Sequence, residues 1–158
     1  MNRAFAAIAF ILGAATSALL GQNFDAHREI DKANKQTLPA AARQIEENTD
    51  IKVAIAVDAE SFGDDAHAWS NLYIIANRIV GAFSDVGRDQ VGKDAIEREV
   101  KKVVIVRVAS TEEGVVELKN HTVTIRTSAS DKAMTVLQNV IIAALEKALN
   151  TGHPPPTP

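Results

Sequence analysis

The densest group of side chains able to do chemistry is Asp58-Ala59-Glu60-Ser61-Phe62-Gly63-Asp64-Asp65, with His67 just beyond it. Four carboxylates and an imidazole within ten residues could hold a cation, move a proton or bind a polar ligand. The spacing is not that of a calcium loop. An EF-hand counted from Asp58 needs an oxygen ligand at its fifth position and Glu at its twelfth, where Phe62 and Trp69 stand. A plainer role fits the same residues, because Asp64 or Asp65 stands where a helix N-cap belongs and carboxylates there complement the helix dipole. Asp58, Glu60, Asp64, Asp65 and His67 are therefore the candidate ligand-binding residues, with no catalytic residue, metal ligand or cofactor assigned.

Other chemical patterns fail on particular residues. Gly87-Arg88-Asp89-Gln90-Val91-Gly92-Lys93-Asp94 has the glycines and lysine of a phosphate-binding loop, but Asp94 replaces the hydroxyl that binds magnesium and would repel phosphate. Gly87 reads instead as a helix stop and Gly92 as punctuation before a short helix. Neither His-Glu-x-x-His nor Gly-x-Ser-x-Gly occurs, which counts against the commonest legible hydrolases. His27 and Asp31, one turn apart, suit a solvated pair. Asn120-His121-Thr122 has the form of a glycosylation acceptor, without consequence in a bacterium. Arg98, Lys101, Lys102 and Arg107 are interleaved with Glu97 and Glu99, as on a solvated helix face.

The elements that must position these residues follow from periodicity. Asp25 to Gln36 reads as a polar helix, Pro39 forces a break or kink, and a second helix capped by Thr37 runs to about Glu47. Ile51, Val53, Ile55 and Val57 alternate with small or polar residues as in an interior strand. Asp58 to Asp65 is a loop, and Ala66 to Phe83 a helix with Trp69, Leu72, Tyr73, Ala76, Ile79, Val80 and Phe83 on one face. Ser84 to Gly92 connects to a short helix, Lys93 to Val100. Val103 to Val108 is a strand parallel to the first, across a helical crossover.

Asn120-His121 as a two-residue turn pairs Lys119 with Thr122, Leu118 with Val123, Glu117 with Thr124 and Val116 with Ile125, which gathers every apolar residue on one face. The outer strand of this hairpin, Thr122 to Arg126, offers a sheet edge able to add a partner strand, while Arg126 and the threonines on it fit equally well a role in discouraging such pairing. A last helix capped by Ser130 or Asp131 buries Met134, Leu137, Val140, Ile141, Ala144, Leu145 and Ala148, and ends near Asn150 and Gly152. The expected fold is α/β, of the two-layer α+β kind, with a four-stranded mixed sheet. The element order is helix-strand-helix-strand-strand-strand-helix.

Of 158 residues, 46% are hydrophobic and 23% charged, ordinary values for a single globular domain. A net charge of −3 gives no field to attract nucleic acid. The N-terminus has a signal-peptide layout: Arg3, an apolar run from Ala4 to Leu12, and small residues to Ala18. The apolar run is shorter than the roughly 20 residues of a spanning helix. Residues 1–21 are thus expected to be removed, leaving a domain over 22–150 and a proline-rich tail over 151–158. The chain has no cysteine, so neither a lipid-anchored N-terminus nor a disulfide is available.

The expected product is a cysteine-free, soluble, bacterial periplasmic or secreted domain without stable membrane insertion or nucleic-acid partner. Its expected work is non-catalytic protein or peptide binding through a sheet edge or an exposed helix. The alternative is a small enzyme or metal-binding protein using the acidic loop. The mature chain should begin between Leu19 and Asn23; intact-mass measurement on protein from the native host checks this, and Met1 retained on a membrane-bound product would contradict it.

Overall fold

A computed structural model describes residues 24–109, 114–128 and 130–151. The expected signal peptide lies outside the described residues, as does the tail beyond Thr151. The chain forms a mixed four-stranded sheet with helices packed around it, as the periodicity requires.

The first helix, α1, runs over residues 24–49 and does not break at Pro39. Proline removes an N–H and crowds the carbonyl four residues back, a defect that an α-helical register cannot absorb without a kink. Here the residues before it, Ala33–Thr37, form a π-helical turn in which the Leu38 N–H donates to the Ala33 carbonyl. The helix then continues as Leu38–Thr49. Thr37 is itself helical (φ −65°, ψ −54°) and makes no capping hydrogen bond, so the expected second cap does not exist. Ala33, Leu38, Ala41, Ile45 and Thr49 form the buried stripe. Buried Thr49 is satisfied locally, its Oγ1 donating to the Ile45 carbonyl at 2.7 Å and accepting from the Ile51 N–H at 3.3 Å.

Strand β1, Ala54–Val57, leads into two short helices, α2 (Ala59–Phe62) and α3 (Ala66–Ser70). The segment expected as one loop therefore contains a helical turn. The long helix is also divided: Asn71 donates its N–H to the His67 and Trp69 carbonyls, and α4 begins anew at Leu72, running Leu72–Val86. This offset rotates the buried stripe. Leu72, Ala76, Ile79, Val80 and Phe83 stay inside as expected, Ile75 joins them fully buried, and Tyr73 turns outward at 54% exposure. Helix α4 packs between α1 and α6, the last helix, Asp131–Thr151. Ser130 caps α6, its Oγ accepting from the Ala133 N–H at 3.3 Å.

Strands β2 (Lys102–Arg107), β3 (Val115–Lys119) and β4 (Thr122–Thr127) complete the sheet in the order β1-β2-β4-β3. β1 pairs parallel with β2, as expected, and the four hairpin pairs between β3 and β4 are those read from the sequence. Two expectations are corrected. β1 is an edge strand, not an interior one; Ile51 and Val53 are buried but precede it. β4 is not the outer strand of the hairpin, because it slots parallel beside β2 and leaves β3 at the edge.

Burial follows this order. Rows Ile55-Val103-Val123-Leu118 and Val57-Ile105-Ile125-Val116 lie across one face. Their central members Val103, Ile105, Val123 and Ile125 are wholly inaccessible, each side chain adding about 1.5–3 kcal/mol by burial. The edge members of both rows are half-buried.

Helix α5, Gln90–Glu99, starts earlier than expected, because Asp89 Oδ1 caps it by accepting the Gly92 N–H at 2.8 Å. Gly92 is thus inside the first turn, not ahead of it. A Cβ there would stand 1.8 Å from the Val86 carbonyl oxygen, so the chain passing from α4 to α5 needs glycine for close approach. Gly to Ala in a helix normally stabilises by up to about 1 kcal/mol. Gly92→Ala should instead destabilise by roughly 1–3 kcal/mol in a urea titration, and a gain in stability would show that the α4–α5 junction is looser than described.

Candidate functional site

The acidic segment lies where β1 and β2 end, the place where open α/β sheets commonly hold ligands. Two of its polar side chains, Ser61 and Asp65, fasten the chain. The Asp58 N–H donates to the Ile105 carbonyl at 2.9 Å, carrying the pairing of β1 with β2 one residue further. Ser61 Oγ donates to the Asp58 carbonyl at 2.6 Å and accepts the Arg107 N–H at 2.9 Å, which ties α2 to the end of β2. Beneath this loop Phe62 and Trp69 are buried against each other, ring centroids 5.1 Å apart, and the Trp69 Nε1–H donates to the Gly63 carbonyl at 2.8 Å.

Asp65 carries the local electrostatics. Its Oδ1 accepts the N–H groups of His67 at 3.0 Å and Ala68 at 3.1 Å, the N-cap that the sequence offered to Asp64 or Asp65. Its Oδ2 meets Arg107 Nη2 at 2.7 Å. The Ala68 amide above all, with the Arg107 guanidinium and the His67 amide, holds its carboxyl below its ordinary value of 3.8 against the opposing effect of burial. This partnership is not legible in the sequence, since the residues stand far apart along the chain. The available signal was Arg107 itself, a charge closing the apolar run Val103 to Val106.

The five candidate residues do not all converge. Asp64, Asp65 and His67 line one open recess together with Asp25 and Ala66. Asp58 and Glu60 are exposed and outside it. His67 Nε2 lies 3.3 Å from Asn71 Nδ2, one turn along. Among the described residues no three His, Asp or Glu side chains are gathered as metal ligands. The glycine-lysine segment forms no phosphate cradle either: Lys93 Nζ is 3.2 Å from Asp50 Oδ2, and Gln90 Nε2 donates to Asp94 Oδ1 at 2.6 Å. Asp31 pairs with Lys35 at 2.6 Å rather than with His27. Among the described residues no helix is long and apolar enough to cross a membrane.

The more open feature is the outer edge of β3. Along β4, the His121 carbonyl accepts the Lys102 N–H and the Thr127 carbonyl accepts the Val108 N–H, so odd-numbered residues turn their backbone groups toward β2. Even-numbered Thr122, Thr124 and Arg126 therefore turn toward β3, where they pair with Lys119, Glu117 and Val115. What remains is the backbone of Val116 and Leu118, aimed outward where no described strand pairs with it. No family model, curated protein or solved structure matches the chain.

The Asp65 cap gives a signed prediction. Because its folded pKa lies below its ordinary 3.8, the stability it supplies is complete above that value and disappears as pH falls through the folded pKa. Asp65→Ala should cost about 1–2 kcal/mol at neutral pH. The gap from wild type should close in denaturant titrations in strong acid, while Asp64→Ala stays near wild type throughout; a gap that persists in acid would contradict the assignment.

Proposed function

We propose that this chain is a non-catalytic, exported protein-binding module that accepts an extended segment of a partner along the outer edge of β3. The observation that carries the reading is the pair of outward-facing backbone stations at Val116 and Leu118, which offer two donors and two acceptors to an added strand. On the same strand Val115 is 46% exposed, and Val116 and Leu118 remain half-buried on the core side, so an added strand would also cover apolar surface. Export is supported by the N-terminal signal layout, which suits a periplasmic or secreted protein. The acidic loop supports an enzyme or metal site less well, because Asp65 is already committed to two amides and a guanidinium.

Peptides selected from a random display library on the purified protein test the reading. Binding should be lost in Leu118→Pro, which removes one outward N–H at an edge where proline is tolerated, with the far-ultraviolet circular dichroism unchanged. Peptides that bind wild type and Leu118→Pro equally, and are lost in Asp64→Ala or His67→Ala, would move the site to the acidic loop.

A further inference from the structure

We propose that the occupant of the β3 edge is a second copy of this chain, the two β3 strands pairing antiparallel about a two-fold axis at Leu118. The inference rests on the edge-binding reading above and names its partner. The pairing register follows from three constraints. Only Val116 and Leu118 within β3 have outward backbone groups, so hydrogen-bonded positions across the new interface must be even-numbered in both copies. A two-fold axis normal to the sheet keeps both core faces on one side, which the apolar rows require. Charge then selects among the registers that remain.

Centring the axis on Glu117 sets that carboxylate against itself, at the close non-hydrogen-bonded spacing of about 4.5 Å. Centring it on Val116 sets Lys119 against Glu113, beyond β3, and leaves Glu117 opposite Val115 with no charge to meet it. With the axis at Leu118, each Glu117 stands opposite the partner's Lys119, and both pairs occupy the close positions where side chains interact best. Each Leu118 gives its N–H and C=O to the partner's Leu118, and the two leucine side chains meet on the core side. Glu117 keeps its own contact with Arg126, 2.7 Å away on β4.

Helix α6 supports the same arrangement. Its Gln138 flank faces α4, with Nε2 donating to Asp85 Oδ2 at 3.0 Å. The flank toward β3 is marked by Leu137, which approaches Gly114, and by Ala148, which lines a recess with Leu118. Beyond that flank Val136, Val140 and Ala144 recur every four residues and are only half-buried. Pairing two β3 edges would bring the two α6 helices side by side along this apolar row, where Ala144 permits close approach.

Sedimentation equilibrium of the purified protein should show a dimer that dissociates on dilution. Lys119→Glu should weaken it by about tenfold or more, and adding Glu117→Lys should restore it, with circular dichroism confirming that each variant is folded. Leu118→Cys in this otherwise cysteine-free chain should oxidise to a covalent dimer, since facing Cα atoms about 5.5 Å apart suit a disulfide. Val116→Cys, set opposite the partner's Asn120, should not. Equal cross-linking at both positions, or a monomer at every concentration, would overturn the proposal. A monomer whose selected peptides are still lost in Leu118→Pro would remove the second copy and keep the edge reading; indifference to that proline would remove both.

Discussion

The two-residue turn at Asn120-His121 is the constraint on which the sheet depends. Both residues hold positive φ, 50° and 59°, the left-handed conformation that a tight hairpin matched to strand twist requires. Asparagine and histidine tolerate it better than branched residues do. Once the turn is closed, Lys119 must face Thr122 and every later pair follows. A slip of one strand by one residue would carry its apolar pair, Val116 and Leu118 or Val123 and Ile125, to the outer face and its polar residues into the core. The same turn settles which backbone groups of β3 look inward and which look outward, so core packing and edge chemistry have one origin.

The turn also reaches beyond the hairpin. His121 supplies the carbonyl that accepts both the Lys101 and Lys102 N–H groups, which starts the parallel pairing of β2 with β4. Its Nδ1 lies 3.2 Å from the Glu99 carbonyl at the end of α5. At the opposite end of the sheet, the Asp65–Arg107 pair and Ser61 fasten the crossover to β2. Between these two clamps lie the apolar rows and the helices α1, α4 and α6. Ser61 and Asp65 of the acidic loop thus act as one end of a mechanical frame.

Local patterns were legible in the sequence, whereas relations between distant segments were not. The hairpin register was readable because turn chemistry and alternation of apolar residues agree within a short stretch. The capping role in the acidic loop was readable because an aspartate precedes a helical pattern. The place of β4 between β2 and β3 was not, since nothing within Thr122 to Thr127 states which strand lies beyond it; only its wholly buried Val123 and Ile125 distinguish it from an edge. Tyr73 was misplaced because periodicity assumes an unbroken helix, and the restart after Asn71 rotates the stripe. At Pro39 the interruption of the α-helical register was readable, but its form, a π-turn rather than a chain break, was not. Of the candidate residues, the pairing of Asp65 with Arg107 was hidden by its sequence separation, and the β3 edge by the misplaced β4.

Amide hydrogen exchange along β3 tests the central claim most directly, because it reads inward and outward backbone groups one by one. In dilute protein the amides of Val116 and Leu118 should exchange much faster than those of Glu117 and Lys119, and should slow as the concentration is raised. Equal protection at all four positions at every dilution would contradict a free β3 edge.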